Sequence, residues 1–265
     1  MKVLLIDFYN LIHRARHGFG EFSAHSMTFN SLRMLKSEVK NHKPDVTYIV
    51  LEGRPKHRTD LSVAYKANRI PVRDAGFYSQ KEEILKCCKM LPNIQIAQHP
   101  TCEADDVIAH LATKAHCDDK IVIVSSDSDF LQIVTEDDRI MLWNPVKKSW
   151  CAHVGYDYLK WKSLAGDSTD NIQGVKGIGA MRATTLAKNP EMMTEFLLNK
   201  EKQSQYELAY SLIEFKSIDK DDTDLCFTKS VYDENGLAEF FEFAEFKSLS
   251  DKVALKKFVS PFANE

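Results

Sequence analysis

Residues Ile121–Phe130 read IVIVSSDSDF, and this stretch decides the fold. Four consecutive β-branched residues do not alternate with polar ones, so the run is no half-solvated strand. It fits a strand buried on both faces of a parallel sheet. Three serines and two aspartates, Asp127 and Asp129, make up the next five residues and turn the chain. The same grammar recurs on either side. Short apolar runs occupy Val3–Ile6, Val46–Leu51, Ile94–Ala97 and Ile140–Trp143. Between them, apolar residues at helical spacing mark Ser26–Asn41, Ser79–Leu91 and Ala104–Ala115. The alternation predicts an α/β fold, with a central, mostly parallel sheet flanked by helices and right-handed crossovers. In such sheets ligands bind beyond the carboxyl ends of the strands.

Nine acids gather at those strand ends and in short acid-rich runs. They are Asp7 (VLLID), Glu52 (YIVLE), Glu103, Asp105 and Asp106 (CEADD), Asp127 and Asp129, and Asp167 and Asp170 (GDSTD). Carboxylates crowded into one cleft repel each other unless cations neutralise them. All-oxygen ligand sets suit hard divalent ions such as Mg²⁺ or Mn²⁺. Two such ions held side by side are the usual machinery for hydrolysing a phosphodiester bond. The pattern therefore implies a metal-dependent nuclease. Helix capping explains one or two acids in the EADD turn, but a third points to ligation. An isolated buried aspartate at position 7 is costly, which implies a cation beside it. His13, His17, His57 and His110 show no metal-ligand spacing.

The formal net charge of −3 looks wrong for a nucleic-acid binder. Setting the nine acids aside leaves 35 basic against 29 acidic residues, so the remaining surface is basic. The excess is local. Between Arg54 and Lys89, Lys and Arg occupy positions 54, 56, 58, 66, 69, 73, 81, 86 and 89, against acids at 60, 74, 82 and 83. This run reads as a surface that tracks phosphates. Its YKANR segment sets Lys66 and Arg69 at helical spacing. The six cysteines form no CxxC pair, which fits reduced thiols in a cytoplasm and neither a disulfide framework nor a zinc site. MKVLLIDFYN is too short an apolar run for a signal peptide, and no run reaches the length of a membrane span.

After about residue 155 the strand signal fades and helical patterns dominate. Residues 166–179, GDSTDNIQGVKGIG, join two acids to a glycine-rich hairpin in front of a helix opening at Ala180. Gly174, Gly177 and Gly179 are expected to supply positive φ and close backbone approach. The amides of the hairpin and of the helix start would then face a DNA phosphate, with Lys176, Arg182 and Lys188 around it. The tail, Gly236–Glu265, carries Phe240, Phe241, Phe243, Phe246, Phe258 and Phe262, and is expected to pack back onto the body.

In order, LLIDFYNLIHR, LEGR, YKANR, CEADDVIAHLA, SSDSDFLQI, GDSTDNIQGVKGIGAMRA and FEFAEFKSL resemble the 5′-nuclease superfamily, over nearly the whole chain. That superfamily includes flap endonucleases, bacteriophage 5′–3′ exonucleases and the 5′-nuclease domain of bacterial DNA polymerase I. The resemblance implies a PIN/resolvase-like core over 1–155, with a basic helical arch at about 65–98. It also implies a helical DNA-binding region over 156–265, with a helix–hairpin–helix at 171–188. It implies two divalent ions. Asp7, Glu52, Glu103 and Asp105 would hold the first, and Asp105, Asp127, Asp129 and Asp167 the second. Asp106 and Asp170 would act from the outer shell. Lys66 and Arg69 would grip the scissile phosphate, and Tyr65 would stack on a terminal base. Carbonyls of Gly174, Val175 and Ile178 would bind a potassium ion. The implied partner is DNA with a free 5′ end, as a flap, nick or RNA/DNA primer end in replication or repair, acted on by a cytoplasmic monomer. Two positions depart from the usual pattern: Glu52 stands where relatives have Asp, and Phe8 where they have Gly. Two rival readings are a PIN-type endoribonuclease and a DNA-binding protein without turnover. The glycine hairpin and basic stretch argue against the first, and the complete set of nine carboxylates against the second.

Overall fold

The computed structural model describes residues 1–18, 23–70 and 74–263. Its strands are β1 (Lys2–Asp7), β2 (Val46–Leu51), β3 (Ile94–Gln98), β4 (Lys120–Val124), β5 (Ile140–Asn144), β6 (Ser149–Cys151), β7 (Gly166–Asp167), β8 (Ile172–Gln173) and β9 (Cys226–Lys229). Seven of these form one sheet in the order β6-β5-β4-β1-β2-β3-β9. The five central strands run parallel, and β6 and β9 close the edges antiparallel. Asp7 pairs in register with Val50, and Ile6 with Val124. The ends of β1, β2 and β4 are therefore level.

The reason for the unbroken apolar strands is visible in β1. Leu4 and Ile6 enter one core, and Val3 and Leu5 enter the other, on the opposite face. The first core is covered by α1 (Phe8–Gly18), α2 (Ser26–His42), α4 (Ala75–Met90), α10 (Glu234–Phe243) and α11 (Lys252–Val259). The second is covered by α5 (Ala104–His110), whose helix continues through a π-helical turn to Ala115. A short α3 (Lys56–Leu61) follows β2. The helices α6 (Tyr158–Ala165), α7 (Ala180–Lys188), α8 (Pro190–Phe196) and α9 (Lys200–Ile213) surround a separate small core that includes Leu164, Val175, Ala183 and Leu186. Among the described residues, no helix is long and apolar enough to cross a membrane. The cysteines are unpaired.

Three sequence expectations need correcting. The chain after residue 155 is not uniformly helical, because β9 returns to pair with β3. Its CFTK is exposed at every residue, so edge pairing makes this strand and no apolar run announces it. The stretch 65–98 does not form an arch as a whole. Helix α4 buries Phe77, Ile84, Cys87 and Cys88 in the first core, and β3 belongs to the sheet. What is left for an arch is the connection between α3 and α4, in which residues 71–73, including Arg73, lie outside the described residues. The aromatic tail packs as expected through Phe240, Phe241, Phe246, Phe258 and Phe262, but Phe243 is 70% exposed.

Candidate metal centre

The level strand ends gather the acids from separate elements. Asp7 ends β1, where its Oδ2 accepts a hydrogen bond from Ser125 Oγ (2.8 Å) and its Oδ1 from the Asn10 amide (3.0 Å). Glu52 follows β2, and its Oε2 accepts from the Ala104 amide at the start of α5 (3.1 Å). The longer side chain therefore reaches the neighbouring helix start. Glu103 caps α5 in a capping box with Asp106. Capping thus accounts for two of the three acids in the turn, and Asp105 is the one left over. After β4, the Asp127 amide bonds Ser125 Oγ (3.1 Å) and its Oδ1 accepts from the Asp129 amide (2.9 Å). Asp167 and Asp170 come from the β7–β8 hairpin, where Asp167 Oδ1 accepts from the Thr169 amide (2.8 Å).

The electrostatics divide these acids. Burial, followed by repulsion from Asp127, Asp7, Glu52 and Glu103, pushes Asp105 well above the usual carboxylate range. Burial and Glu103 push Glu52 up to about 7. Asp7 and Asp127 are also raised, chiefly by burial. By contrast, the Lys162 ammonium bridges Asp129 and Asp167 (2.8 Å to Asp167 Oδ2) and holds Asp167 below its ordinary value despite burial. Lys66 pairs with Glu103 and lies 3.5 Å from Asp170 Oδ2, while Arg69 pairs with Asp170 Oδ1. Lys66 sits at a positive φ of 54° and its amide donates to Asp170 O (2.9 Å), which ties the YKANR turn to the hairpin.

Three residues take places that differ from their sequence reading. Tyr65 is not free to stack on a base. It is 7% exposed and its hydroxyl donates to Glu103 Oε2 (2.7 Å). Arg58 does not track phosphates. It is buried, with its guanidinium forked onto Asp106 (2.7 and 2.9 Å) and Glu103 (2.7 Å), and it also donates to the carbonyls of Leu212 and Glu214. Asp106 is fully buried and already accepts from Arg58 and from the Glu103 and Lys216 amides, so its carboxylate serves as an anchor. Sequence reading missed Arg58, Lys162, Ser125 and Asn10. A signal for Lys162 was present: it lies four residues after the buried Tyr158 on the inward face of α6.

The glycine hairpin is built as expected at two of its three glycines. Gly177 adopts φ +80°, and a Cβ on Gly174 would come within 2.4 Å of the Leu164 carbonyl. Gly179 needs neither device. It caps α7 at φ −94°, in open space. Val175 and Ile178 are buried, and their amides bond Leu164 O (2.9 Å) and Val175 O (3.0 Å). The Lys176 amide donates to Gln205 Oε1 (3.0 Å), and the side chains of Lys176, Arg182 and Lys188 are exposed.

A second group with metal-ligand atoms close together, His99, Asp222 and Asp224, lies where the chain enters β9. The Thr101 amide donates to His99 Nδ1 (3.2 Å). His99 Nε2 lies 3.3 Å from Asp222 Oδ2, so the pair ties the end of β3 to the segment that enters β9.

Comparison with known proteins agrees with this geometry. DNA polymerase I of Treponema pallidum is 33% identical over 206 residues, covering 69% of this chain and 20% of the polymerase. The chain thus spans about a fifth of that relative. A 5′–3′ exonuclease of Aquifex aeolicus is 29% identical over 248 residues, 85% of this chain and 84% of the relative. In fold, the flap endonuclease of bacteriophage T5, solved with DNA and metal ions, superposes with a TM-score of 0.65 at 18% identity, over 99% of this chain and 98% of that one. The family described as 5′–3′ exonuclease, N-terminal resolvase-like domain, matches residues 2–161, and the chain belongs to it.

Proposed function

We propose that this chain hydrolyses phosphodiester bonds of DNA bearing a free 5′ end, as a 5′–3′ exonuclease and flap endonuclease dependent on two Mg²⁺ or Mn²⁺ ions. One observation carries the reading. Asp7, Glu52, Asp105 and Asp127 meet at one sheet edge with no ion pair of their own among the described residues, and all four are raised chiefly by burial, with repulsion from neighbouring acids added to it. A donor set of buried carboxylate oxygens fits hard divalent cations. Asp7, Glu52, Glu103 and Asp105 are the proposed ligands of one ion, and Asp105, Asp127, Asp129 and Asp167 those of the other. Ions bound there supply an acidified water and stabilise charge on the leaving oxygen. Lys66 and Arg69 stand at the mouth of the cluster, with side chains 18% and 51% exposed, where they can grip the scissile phosphate. Asp170 orients both.

The exposed Lys176, Arg182 and Lys188, with the open backbone at Gly177 and Gly179, favour duplex anchoring through phosphates. The carbonyls of Gly174, Val175 and Ile178 are the proposed seat of a potassium ion. The substrates proposed are 5′-flaps, nicked duplex and primer ends, bound by a monomer in the cytoplasm. Digestion of a 5′-flap and a nicked duplex with Mg²⁺, with product lengths resolved, tests this reading. EDTA should abolish cleavage. Undiminished cleavage in EDTA sinks the two-ion mechanism, and cleavage of RNA alone favours the endoribonuclease.

A further inference from the structure

Helix α10 keeps one face out of the first core, and that face is acidic and aromatic. From Asp233 to Glu245 the chain carries five acids and no Lys or Arg. Leu237, Phe240 and Phe241 turn inward, while Phe243 is exposed. The Phe243 ring is held in place all the same. It stands edge-on to the His25 ring, with centroids 5.4 Å apart, and His25 Nδ1 in turn meets Glu83 at 2.9 Å. An aromatic ring fixed at the surface beside a groove is the usual anchor of a protein contact.

Phe243 borders a groove of about 900 Å³ between α10 and α4. The groove has an apolar floor, made by the buried Phe240 and Met90. Its walls are acidic, with Glu82 and Glu83 on α4 and Asp233 and Glu239 on α10. Two of these carboxylates are already engaged. Glu83 accepts from Thr28 Oγ1 (2.7 Å) as well as facing His25, and Asp233 caps α10. Glu82 and Glu239 are exposed and make no ion pair among the described residues. One cation does line the groove. Lys86 Nζ lies 6.0 Å from the centroid of the Phe240 ring, so the floor already carries a positive charge over an aromatic face. Four acids against one base repel DNA and anionic lipid alike. They are complementary to a polypeptide that sets Lys or Arg on either side of an apolar stripe, as in helix-in-groove recognition.

We propose that the α4–α10 groove docks a basic amphipathic segment of a protein partner, with its apolar side chains on Phe240 and Phe243 and its Lys or Arg on Glu82 and Glu239. Neither helix carries a proposed metal ligand, nor Lys66 or Arg69, so a partner seated here leaves the acid cluster open. The docking does not depend on the nuclease reading, and its test needs no cleavage.

The measurement is fluorescence anisotropy with a labelled peptide of lysine and leucine whose leucines fall on one helical face. The full chain should bind it, less tightly as salt is raised. The same peptide with glutamate for every lysine should not bind. Phe243→Ser should weaken binding about tenfold. Glu82→Lys with Glu239→Lys should abolish it. All three side chains are exposed, so these variants keep the fold. Asp105→Asn marks the other acidic site and should bind the peptide like the parent. Absence of binding, equal binding by the parent and both groove variants, or loss in Asp105→Asn with retention in the groove variants overturns the proposal. Sedimentation supplies the remaining outcome: a dimer of the parent that Phe243→Ser dissolves gives the groove to a second copy of this chain and overturns the assignment to a partner. If the nuclease reading fails, cleavage is absent while this binding pattern persists, so the two failures are distinguishable.

Discussion

The acids at the head of the sheet fall into two populations. Glu103, Asp106, Asp129, Asp167 and Asp170 carry built-in counterions from Arg58, Lys66, Arg69 and Lys162. Asp7, Glu52, Asp105 and Asp127 make no ion pair among the described residues, and the attraction of Arg14, Lys66 and Lys162 does not offset their burial. The first population joins segments far apart in sequence: Arg58 links α3 to α5 and to the end of α9, and Lys162 links α6 to the turn after β4 and to the hairpin. The second sits on or just after β1, β2 and β4 and in the first turn of α5. The chain thus gives five of the carboxylates a basic partner of its own, Glu103, Asp129 and Asp167 among them although they are also proposed metal ligands, and leaves four without an ion pair for cations from solution.

The sharpest way to break this comparison is to delete one acid from the uncompensated group. Asp105→Asn should reduce turnover by more than about a thousandfold, since it is the carboxylate proposed to be shared by both ions. In EDTA the same variant should melt at a higher temperature than the parent, because a repelling charge is gone. Asp167→Asn should also lose turnover but should not raise the metal-free melting temperature, because it removes a partner of Lys162. Equal shifts in the two variants would mean that the two populations are one. The complementary cut is Arg58→Met. It strands Glu103 and Asp106 in the interior and should cost about 3–5 kcal/mol of stability, read by urea unfolding in EDTA. A variant as stable as the parent would show that the brace is dispensable.

Acidity sharpens the comparison further. Glu52 is raised to about 7 in the folded protein. Between its ordinary value and 7, the unfolded chain has already released the proton that folded Glu52 retains. The unfolded state therefore binds fewer protons, and stability falls as pH rises through that window. Asp105, Asp7 and Asp127 shift in the same direction. Asp167, held below its ordinary value, contributes stability that is present above that value and lost only on acidification through the lower folded value. The metal-free protein should accordingly lose melting temperature from about pH 5 to about pH 8, and Mg²⁺ should remove the slope. Glu52→Gln should flatten part of it and move the Mg²⁺ requirement for cleavage to higher concentration, while Glu52→Asp should remain active. An unchanged slope and metal titration in Glu52→Gln would make Glu52 a bystander.

Much of this could be read from the chain alone. The five parallel strands announce themselves because their apolar runs are nearly unbroken, and the acids because they follow such runs or crowd into the short acid-rich turns EADD and GDSTD. What escaped shares one cause: it depends on tertiary partners. Arg58 and Lys162 look like any basic residues until the carboxylates they face are placed, and Arg58 was counted with the phosphate-tracking stretch for that reason. Tyr65 reads as an aromatic beside a basic motif, yet its ring packs in a core with Ile172, Ala209 and Leu212. The edge strand β9 exists through its ladder with β3 and has no pattern of its own.

The hairpin offers the mildest test and sets a second region against the acid cluster. Of its three glycines, only Gly177 needs positive φ, and a Cβ there would meet open space. A β-branched residue is therefore strained by its backbone alone, by about 1–3 kcal/mol, which the turn can relieve by changing φ. That change redirects the amides of Gly177 and its neighbours away from the phosphate they are proposed to meet. Gly177→Val should raise the dissociation constant for duplex DNA several-fold, equally across unrelated sequences, because backbone contacts carry no sequence information. Turnover of bound substrate should be unaffected, since Gly174 and Val175 are locked against Leu164 independently of the turn. Gly179→Ala is the control: at φ −94° with open space around it, it should bind duplex like the parent. If Gly179→Ala weakens binding as much as Gly177→Val, the positive φ is not what shapes the anchor. If only certain sequences lose affinity, the hairpin reads bases and not the backbone.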